Sequence, residues 1–518
     1  MSPEKHKALL DKKQRLEGKR EGRDERKRMR SNYRSVIVVP LLLSWGAMAM
    51  ALGVNWGTSS SSHPLPPSTV VPGLLKANNI TRVKLSGSDP DVMESLSGSG
   101  IQVTVGIPNE MLRALSSSKK AAASWVHDNV TRYFPTTSGV GGGGVRIEYI
   151  AVGDEPFLSS YGQQFQHFVV GAATNIQLAL TAAKLADKVK IIVPCSSDAY
   201  QSDMNLPSKG HFRPDLIKTM AELLSFLTKH GSPFVVDINP FLTLQQNKNL
   251  SLNYFLFQSK SHAVTDGHNK YKNYFDASID TLLSSLSRVG FDDMDIMVGR
   301  IGWPTDGAVN ATPVVAQTFM QGLVDHLKSK AGTPLRPKRP SRETYIFSLL
   351  DEDQRGITTG NYERHWGIFT FDGQAKYNVD LGQGSKNLVD AHNVEYLASK
   401  WCVVNNNKDL SNASASAADA CSSADCTALS PGGSCFGISW PGNVSYAFNS
   451  YYQQHDQSAD GCDFGGLGLI TTVDPSVDDC RFTIALRTSF SASVYEKLGL
   501  WWTIVVGACV CSYLLGFA

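Results

Sequence analysis

Residues 296–305 read IMVGRIGWPT. Ile296 to Val298 form a short apolar run of the kind that predicts a buried strand. The run ends at Gly299, Arg300 and a Gly-Trp-Pro corner, so an arginine stands where the predicted strand gives way to a loop. Short apolar runs that are followed by Gly, Asn, Asp or Pro recur along the chain. This repetition is the main evidence for the fold.

Eight such runs alternate with helical patterns. Strands are predicted at Gly53–Trp56, Arg82–Leu85, Ile101–Ile107, Val145–Val152, Val189–Val193, Phe234–Ile238, Asp295–Val298 and Thr344–Leu350. Helices are predicted between them at Ser68–Ala77, Asp91–Leu96, Glu110–Val126, Ala172–Leu185, Pro214–Lys229, Ala277–Val289 and Val314–Lys328. This alternation predicts an α/β fold, a (β/α)₈ TIM barrel, with an open doubly wound sheet as the alternative. No glycine-rich phosphate loop follows the first strand, which disfavours a nucleotide-binding protein.

The 518 residues divide further by composition. We predict a basic tail with a signal or anchor segment at 1–51, the barrel at 52–385, a linker at 386–401, a small disulfide-rich domain at 402–480, a spacer at 481–497 and a hydrophobic tail at 498–518.

Both ends of the chain indicate export. The first 35 residues hold 13 Lys/Arg against 6 Asp/Glu, and an apolar segment, Ser35–Ala51, follows. This order is typical of a secretory signal, or of an uncleaved signal anchor. The apolar segment Leu498–Ala518 follows small residues and a short polar spacer, as in a GPI-anchor signal, with a transmembrane helix as the alternative. We therefore expect a protein secreted to the cell surface and held at the plasma membrane by its C-terminal anchor. No basic stripe lies on a folded domain, so nucleic-acid binding is not expected.

Cysteines and sequons agree with an exported chain. Six of the nine cysteines fall within residues 402–480, a density that predicts three disulfides, although spacing alone allows fifteen pairings. Paired Cys-x-x-Cys steps are lacking, which disfavours zinc. The isolated Cys195 is expected to be a small buried apolar residue. Glycosylation sequons occur at Asn79, Asn129, Asn249, Asn310, Asn412 and Asn443.

Candidate functional residues follow the predicted strands, because barrel chemistry lies at the C-terminal ends of strands. Asp154 and Glu155 follow the fourth strand, and carboxylates and aromatic rings follow several others. Carboxylates perform acid–base chemistry on glycosidic oxygens, and aromatic faces stack on sugar rings. The alternative for the aromatic residues is that they fill the barrel.

Several ordered motifs resemble the plant endo-1,3-β-glucosidases of glycoside hydrolase family 17. They are GVNWGTSSSSHPLPP at 53, VKLSGSDPD at 83, VTVGIPNEML at 103, YIAVGDEPFL at 149, FDASIDTLL at 275, IGWPTDG at 301 and ERHWGIFTFDG at 363. The resemblance implies a retaining hydrolase of 1,3-β-glucans such as callose, with Glu155 as acid/base and position 300 as nucleophile. It also implies substrate contacts by Asn55, Asp154, Asn239, Phe241, Trp303, Glu352 and Trp366.

Three positions depart from the family's pattern. The family usually has Asn where this chain has Asp154, Glu where it has Arg300, and Tyr where it has Asn239. A guanidinium has no lone pair with which to attack an anomeric carbon. We also expect Arg300 to pair with Glu155 and draw that carboxyl toward its charged form.

The leading hypothesis is therefore a monomeric cell-wall protein that binds 1,3-β-glucan with doubtful hydrolysis. The alternative is an active retaining endo-1,3-β-glucanase that uses another carboxylate, such as Asp306 or Glu352. A purely structural wall protein is a third possibility. No motif implies a cofactor or a metal.

The cysteine-rich segment resembles the plant X8 module, carbohydrate-binding family 43. The motifs are PGGSCF at 431, SYAFNSYYQ at 445 and CDFGG at 462. The resemblance implies the pairs Cys402–Cys462, Cys421–Cys426 and Cys435–Cys480, and binding of 1,3-β-glucan. Candidate sugar-stacking residues, some of which must also build the small core, are Tyr446, Phe448, Tyr451 and Tyr452.

Overall fold

The computed structural model describes residues 52–58, 60–135, 143–261 and 263–487. The predicted N-terminal tail and signal segment, the hydrophobic tail and most of the spacer lie outside these residues. Within the described ranges, no helix is both long enough and apolar enough to cross a membrane.

Eight parallel strand positions build the N-terminal domain. The strands are Leu52–Trp56, Arg82–Leu85, Gln102–Ile107, Arg146–Val152, Lys190–Ile192 with Pro194–Ser196, Phe234–Asp237, Ile296–Ile301 and Thr344–Ile346. They are called the first to eighth barrel strands below. The fifth consists of two pieces separated by Val193. Neighbours in sequence are neighbours in the sheet, and the eighth strand pairs with the first.

The barrel closes through the split fifth strand. Its first piece pairs with the fourth strand and its second piece with the sixth, so the two ends of the sheet meet at Val193. The second piece begins at Pro194, which has no amide hydrogen to continue the ladder. Cys195 lies in this piece and is buried and unpaired, as predicted. A nearly closed parallel barrel confirms the predicted fold, and the open doubly wound sheet is wrong.

Helices cover the outside of the barrel. They are Pro67–Thr69 with a π-helical turn Val70–Lys76, Pro90–Leu96, Leu112–Ser117, Lys119–Asn129, Gln166–Ala182, Ile217–His230, Pro240–Gln246, Leu252–Phe255, Tyr274–Arg288 and Pro313–Ser329. The predicted single helix Glu110–Val126 is wrong, because Ser118 adopts an extended conformation and its hydroxyl accepts a hydrogen bond from the Ala121 amide. That cap starts a second helix.

Two predicted strand ends are also wrong. The eighth strand stops at Ile346 rather than Leu350. The seventh continues past Val298 to Ile301, so Arg300 lies on the strand itself and not in the following loop. A register shift between Val298 and Arg300 permits this extension.

A small domain follows the barrel. Strand Trp401–Val404 pairs antiparallel with Gly468–Thr471. Helix Gly442–Gln454 packs against the first of these strands, and helix Ala413–Cys421 packs against helix Gly442–Gln454. Three disulfides cross-link the domain, Cys402–Cys462, Cys421–Cys426 and Cys435–Cys480. These are the pairs that the family resemblance implied. The domain boundaries themselves remain predictions.

Asn55 ties three strands together inside the barrel. It is buried in the first strand, and its amide donates to the carbonyl oxygens of Gly299, at 3.0 Å, and Ile346, at 3.1 Å. The carbonyls belong to the seventh and eighth strands. Because buried carbonyls need a partner, Asn55 stabilises this side of the barrel.

Replacing Asn55 by Ala should lower the free energy of unfolding by about 1–3 kcal/mol, because two buried acceptors lose their donor. Chemical denaturation of residues 52–487 measures this, with the exposed Asn406→Ala as the matched control. Equal unfolding midpoints for the two variants would contradict the role of Asn55.

Candidate active site

Arg300 is aimed by a bulge in the seventh strand. Val298 pairs with Val236 and Arg300 with Asp237, so Gly299 is the extra residue between them. A Cβ atom at Gly299 would collide with the Asp237 carboxylate and with Val235. Glycine is therefore required for the two strands to approach and for Arg300 to point into the mouth.

Three carboxylates surround the Arg300 guanidinium. The nitrogen–oxygen distances are 2.6 Å to Asp154, 3.4 Å to Glu155 and 3.7 Å to Asp237. Arg300 also lies over the Phe347 ring, 5.2 Å from its centroid. The predicted pairing of Arg300 with a carboxylate therefore exists, but its shortest contact is to Asp154 and not to Glu155.

Two members of this cluster were missed from the sequence. Asp237 ends the sixth strand and Lys84 lies in the second, and their side chains are buried 3.8 Å apart. The signal was present, because a charged residue inside an otherwise apolar strand is rarely buried without a partner. The cluster therefore holds two cations, Arg300 and Lys84, and three carboxyl groups.

Asp154 and Glu155 lie on the loop after the fourth strand, and the backbone of this loop is held by Asn109. Asn109 accepts a hydrogen bond from the Asp154 amide at 2.9 Å and donates to the Asp154 carbonyl at 2.8 Å. Gly153 and Glu155 both have positive φ, +83° and +48°. Positive φ is unfavourable for a glutamate and is held here by the surrounding contacts.

The two neighbouring carboxyl groups have opposite pKa shifts. Burial alone would raise the pKa of Asp154, but Arg300 and then Lys84 lower it to about 2. Burial raises the pKa of Glu155 to about 8, Asp237 and Asp154 add to the rise, and Arg300 and Lys84 oppose it. Arg300 does lower the pKa of Glu155, as expected, but burial outweighs this attraction and the carboxyl group keeps its proton. Asp154 lies closest to the cation, and burial of Glu155 outweighs the attraction that remains.

Charge balance explains this division. Burial raises the pKa of Asp237 and lowers the pKa of Lys84, and the attraction between the two groups opposes both shifts. If both are counted as charged, Arg300 and Lys84 face Asp154 and Asp237, and the cluster is neutral when Glu155 is protonated. A third negative charge would be unbalanced in a largely buried site. The site therefore holds a protonated carboxyl group, Glu155, next to a guanidinium, Arg300.

Most other predicted substrate contacts lie beneath the surface. Phe241 and Trp303 are fully buried against each other, with ring centroids 5.2 Å apart. Trp303 also donates to the Asn310 carbonyl at 2.9 Å. Trp366 is buried and donates to Glu363 at 3.2 Å. The structure therefore does not support direct stacking of these rings on sugar. It agrees with the alternative, in which the rings fill the barrel.

The remaining polar candidates are supporting residues. Asn55 bridges strands, as described above. Asn239 caps the helix Pro240–Gln246 by accepting from the Leu242 amide at 2.9 Å. Glu352 is buried against Gly57 and pairs with Arg355 at 3.3 Å.

The surface of the mouth offers other groups. Asp154 is 52% exposed and Glu155 23% exposed. Tyr161, on the loop after the fourth strand, is 38% exposed, and its pKa is raised by burial and by Asp154 and Glu155 nearby. Tyr161 was not predicted as a site residue, because the segment around it, residues 159–164, shows no strand pattern. Among the described residues, no group of three or more His, Cys, Asp and Glu side chains is arranged to hold a metal ion.

In the small domain, two of the four proposed sugar-stacking residues are closed to solvent. Phe448 and Tyr452 lie in the core beside the Cys402–Cys462 disulfide, so the prediction is wrong for them. Tyr446 packs edge-on against Phe482, and Tyr451 stacks on His455 at 3.9 Å. In a domain this small, aromatic side chains such as Phe448 and Tyr452 are needed to build the hydrophobic core.

The pKa shift of Glu155 predicts a pH-dependent stability. Its folded pKa of about 8 lies above its ordinary 4.5, so the native state holds a proton that the unfolded state has released. Its contribution is complete below pH 4.5 and is lost as the pH rises through about 8. Glu155→Gln should flatten this decline in the free energy of unfolding, whereas the exposed Glu94→Gln should keep it. Parallel slopes for the two variants would refute the assignment.

Comparison with known proteins shows which families the sequence of this chain matches. Glycosyl hydrolases family 17 matches residues 52–381, and the X8 domain matches residues 400–469. Glucan endo-1,3-beta-glucosidase 9 of Arabidopsis thaliana is 60% identical over 462 residues, 89% of this chain and 94% of that protein. Glucan endo-1,3-beta-glucosidase 5 of the same plant is 44% identical over 439 residues, 84% of this chain and 88% of the relative.

A solved structure agrees with these sequence matches. CJP38, a beta-1,3-glucanase and allergen of Cryptomeria japonica pollen, superposes with a TM-score of 0.59 and 35% identity, over 64% of this chain and 99% of that one. A match this long, together with the barrel, leads to one conclusion: the chain belongs to glycosyl hydrolases family 17 and carries an X8 domain behind its barrel.

Proposed function

We propose that this chain binds 1,3-β-glucan in the mouth of its barrel and does not hydrolyse it. The observation that carries the proposal is the position of Arg300, whose guanidinium lies between Asp154, Glu155 and Asp237. A retaining glycosidase needs two carboxyl groups about 5 Å apart, one of which attacks the anomeric carbon. Here the partner of Glu155 is a permanent cation.

The mouth retains groups that suit a sugar. The exposed Asp154 carboxylate and the Arg300 guanidinium are acceptor and donor for hydroxyl groups. The exposed ring of Tyr161 offers an aromatic face. Two relatives of this chain are glucan endo-1,3-beta-glucosidases by name, which supports a 1,3-β-glucan as the ligand.

The alternative function is hydrolysis with another carboxylate, and one observation favours it. Glu155 keeps the raised pKa of a general acid. The two replacement carboxylates considered from the sequence are less suitable. Asp306 accepts hydrogen bonds from the Ser434 amide and hydroxyl of the X8 domain, at 2.7 and 2.6 Å, and Glu352 is buried beside Arg355.

The cellular setting is part of the proposal. Three disulfides support an extracellular location, and the sequons at Asn79, Asn249 and Asn412 lie on exposed residues. We place the protein at the cell wall, as a monomer attached to the plasma membrane by a C-terminal GPI anchor.

Reducing-end release from a linear 1,3-β-glucan tests the loss of hydrolysis. The wild-type ectodomain should release nothing above a Glu155→Ala blank while still binding oligosaccharide, because loss of a nucleophile lowers turnover by several orders of magnitude. Arg300→Glu should partly restore activity with retained anomeric configuration. Adding Asp154→Asn and Asn239→Tyr should raise the rate further. Robust wild-type hydrolysis that survives Arg300→Ala would establish the alternative.

Phosphatidylinositol-specific phospholipase tests the anchor. Treatment of membranes should release the protein, because cleavage of the lipid leaves only the soluble ectodomain. Retention on the membrane, with peptides from residues 500–518 still detected, would instead favour a transmembrane helix.

A further inference from the structure

One segment of the barrel contacts both the candidate site and the X8 domain. Residues 351–366 follow the eighth strand and are called the rim segment below. We propose that the X8 domain is a positioning element of the barrel mouth, because it holds the rim segment in the conformation that places Arg355 and Arg300 for ligand binding. The inference rests on the proposed function, because ligand binding in the mouth is the property that the X8 domain controls.

The rim segment has little regular structure of its own. Among its residues, all of which the structure describes, only Asn361–Arg364 form a helix, a single 3₁₀ turn. A segment of this kind depends on its side-chain contacts and opens more easily when they are removed. The X8 domain supplies such contacts, Asp425 to Arg364 at 3.1 Å, Thr427 to His365 at 2.6 Å, Ser430 to Asn361 at 2.5 Å and Gln454 to Asp353 at 3.0 Å.

Arg364 connects the X8 domain to the mouth. Its Nη1 pairs with Asp425, and its Nε donates a hydrogen bond to the Arg355 carbonyl oxygen at 3.1 Å. The Arg355 guanidinium lies 4.6 Å from the centroid of the Phe347 ring, and the Arg300 guanidinium lies 5.2 Å from the same centroid. Both cations are attracted to the face of that ring. A displacement of Arg364 therefore disturbs the residue that shares Phe347 with Arg300.

His365 provides a second connection, to the loop after the seventh strand. Its ring contacts the X8 domain, and its carbonyl oxygen accepts hydrogen bonds from the amide and hydroxyl of Thr305, at 2.9 and 3.0 Å. Thr305 lies in the loop that follows Arg300. The X8 domain also contacts this loop directly, because Asp306 accepts hydrogen bonds from the amide and hydroxyl of Ser434. The loops after the seventh and eighth strands are thus both held by the X8 domain.

The pair between Asp425 and Arg364 is shielded from solvent. The Arg364 side chain is 16% exposed and that of Asp425 19%, whereas the ion pairs that contribute little to stability are solvent-exposed. Removal of Asp425 leaves a partly buried guanidinium without its carboxylate, which favours movement of Arg364 toward water. That movement withdraws the donor from the Arg355 carbonyl oxygen. Docking of the X8 domain and ligand affinity of the mouth are therefore coupled.

Hydrogen exchange of the ectodomain, followed by mass spectrometry, tests the inference. Without ligand, Asp425→Ala should accelerate exchange of the rim segment and of the Thr305 amide by about fivefold or more. With a 1,3-β-linked glucose trisaccharide, the concentration that half-protects the amides of residues 153–161 should rise by about fivefold or more. Residues 153–161 belong to the barrel and include Glu155, so their protection reports ligand in the mouth rather than ligand on the X8 domain.

A second variant separates the interface from the folding of the X8 domain, since Asp425 also accepts hydrogen bonds from Thr427 within that domain. It combines three residues of the X8 domain whose side chains bond to the barrel, Ser430→Ala, Ser434→Ala and Gln454→Ala. This variant should produce the same two effects. The matched control combines three exposed residues of the small domain that make none of these contacts, Asn406→Ala, Ser411→Ala and Asp479→Ala, and should behave as the wild type does.

Each other outcome has a defined meaning. Unchanged exchange of the rim segment in both variants overturns the inference and leaves the proposed function standing. Faster exchange with unchanged ligand affinity also overturns it, because the X8 domain would then hold the rim segment without positioning the mouth. If the trisaccharide does not protect residues 153–161 of the wild-type protein, the proposed function fails and the inference fails with it.

Discussion

The ion pair between Arg300 and Asp154 determines the chemistry of the barrel mouth. A guanidinium placed among three carboxyl groups requires a short-range partner, and Asp154 at 2.6 Å provides it. Because that carboxylate neutralises most of the cation, Glu155 is left with burial as its dominant influence and keeps its proton. The cation at position 300 and the acidic residue at position 154 thus form one electrostatic arrangement, beside which Glu155 keeps its proton.

Much of the fold could be predicted from periodicity, because each barrel strand is a short apolar run and each helix shows an amphipathic pattern. The failures have local causes. The seventh strand extends through Gly299 because a bulge absorbs the extra residue, and bulges leave little trace in hydrophobic patterns. The helix after the third strand breaks at Ser118 because a side-chain cap competes with the helical backbone.

The site was harder to predict, since its key relations are distances across the barrel. Motifs located Glu155 and Arg300, but no linear pattern shows that Lys84 and Asp237 share their cluster. Nor does a motif distinguish a ring that faces solvent from one that fills a core. Phe448 and Phe436 both belong to motifs of the X8 domain, yet the first is fully buried and the second exposed.

The split fifth strand has a consequence for the barrel as a mechanical object. The other seven barrel strands are each a single piece that pairs with its neighbours, whereas the fifth strand is divided at Val193, where the covalent chain joins a piece that pairs with the fourth strand to a piece that pairs with the sixth. Such a seam is the natural place for the ring to part during sub-global opening. Cys195 lies directly beside it, buried, and burial raises its pKa well above the usual range. Its thiol is therefore shielded and protonated in the closed barrel, so the rate at which a thiol reagent modifies Cys195 would measure how often this part of the barrel opens.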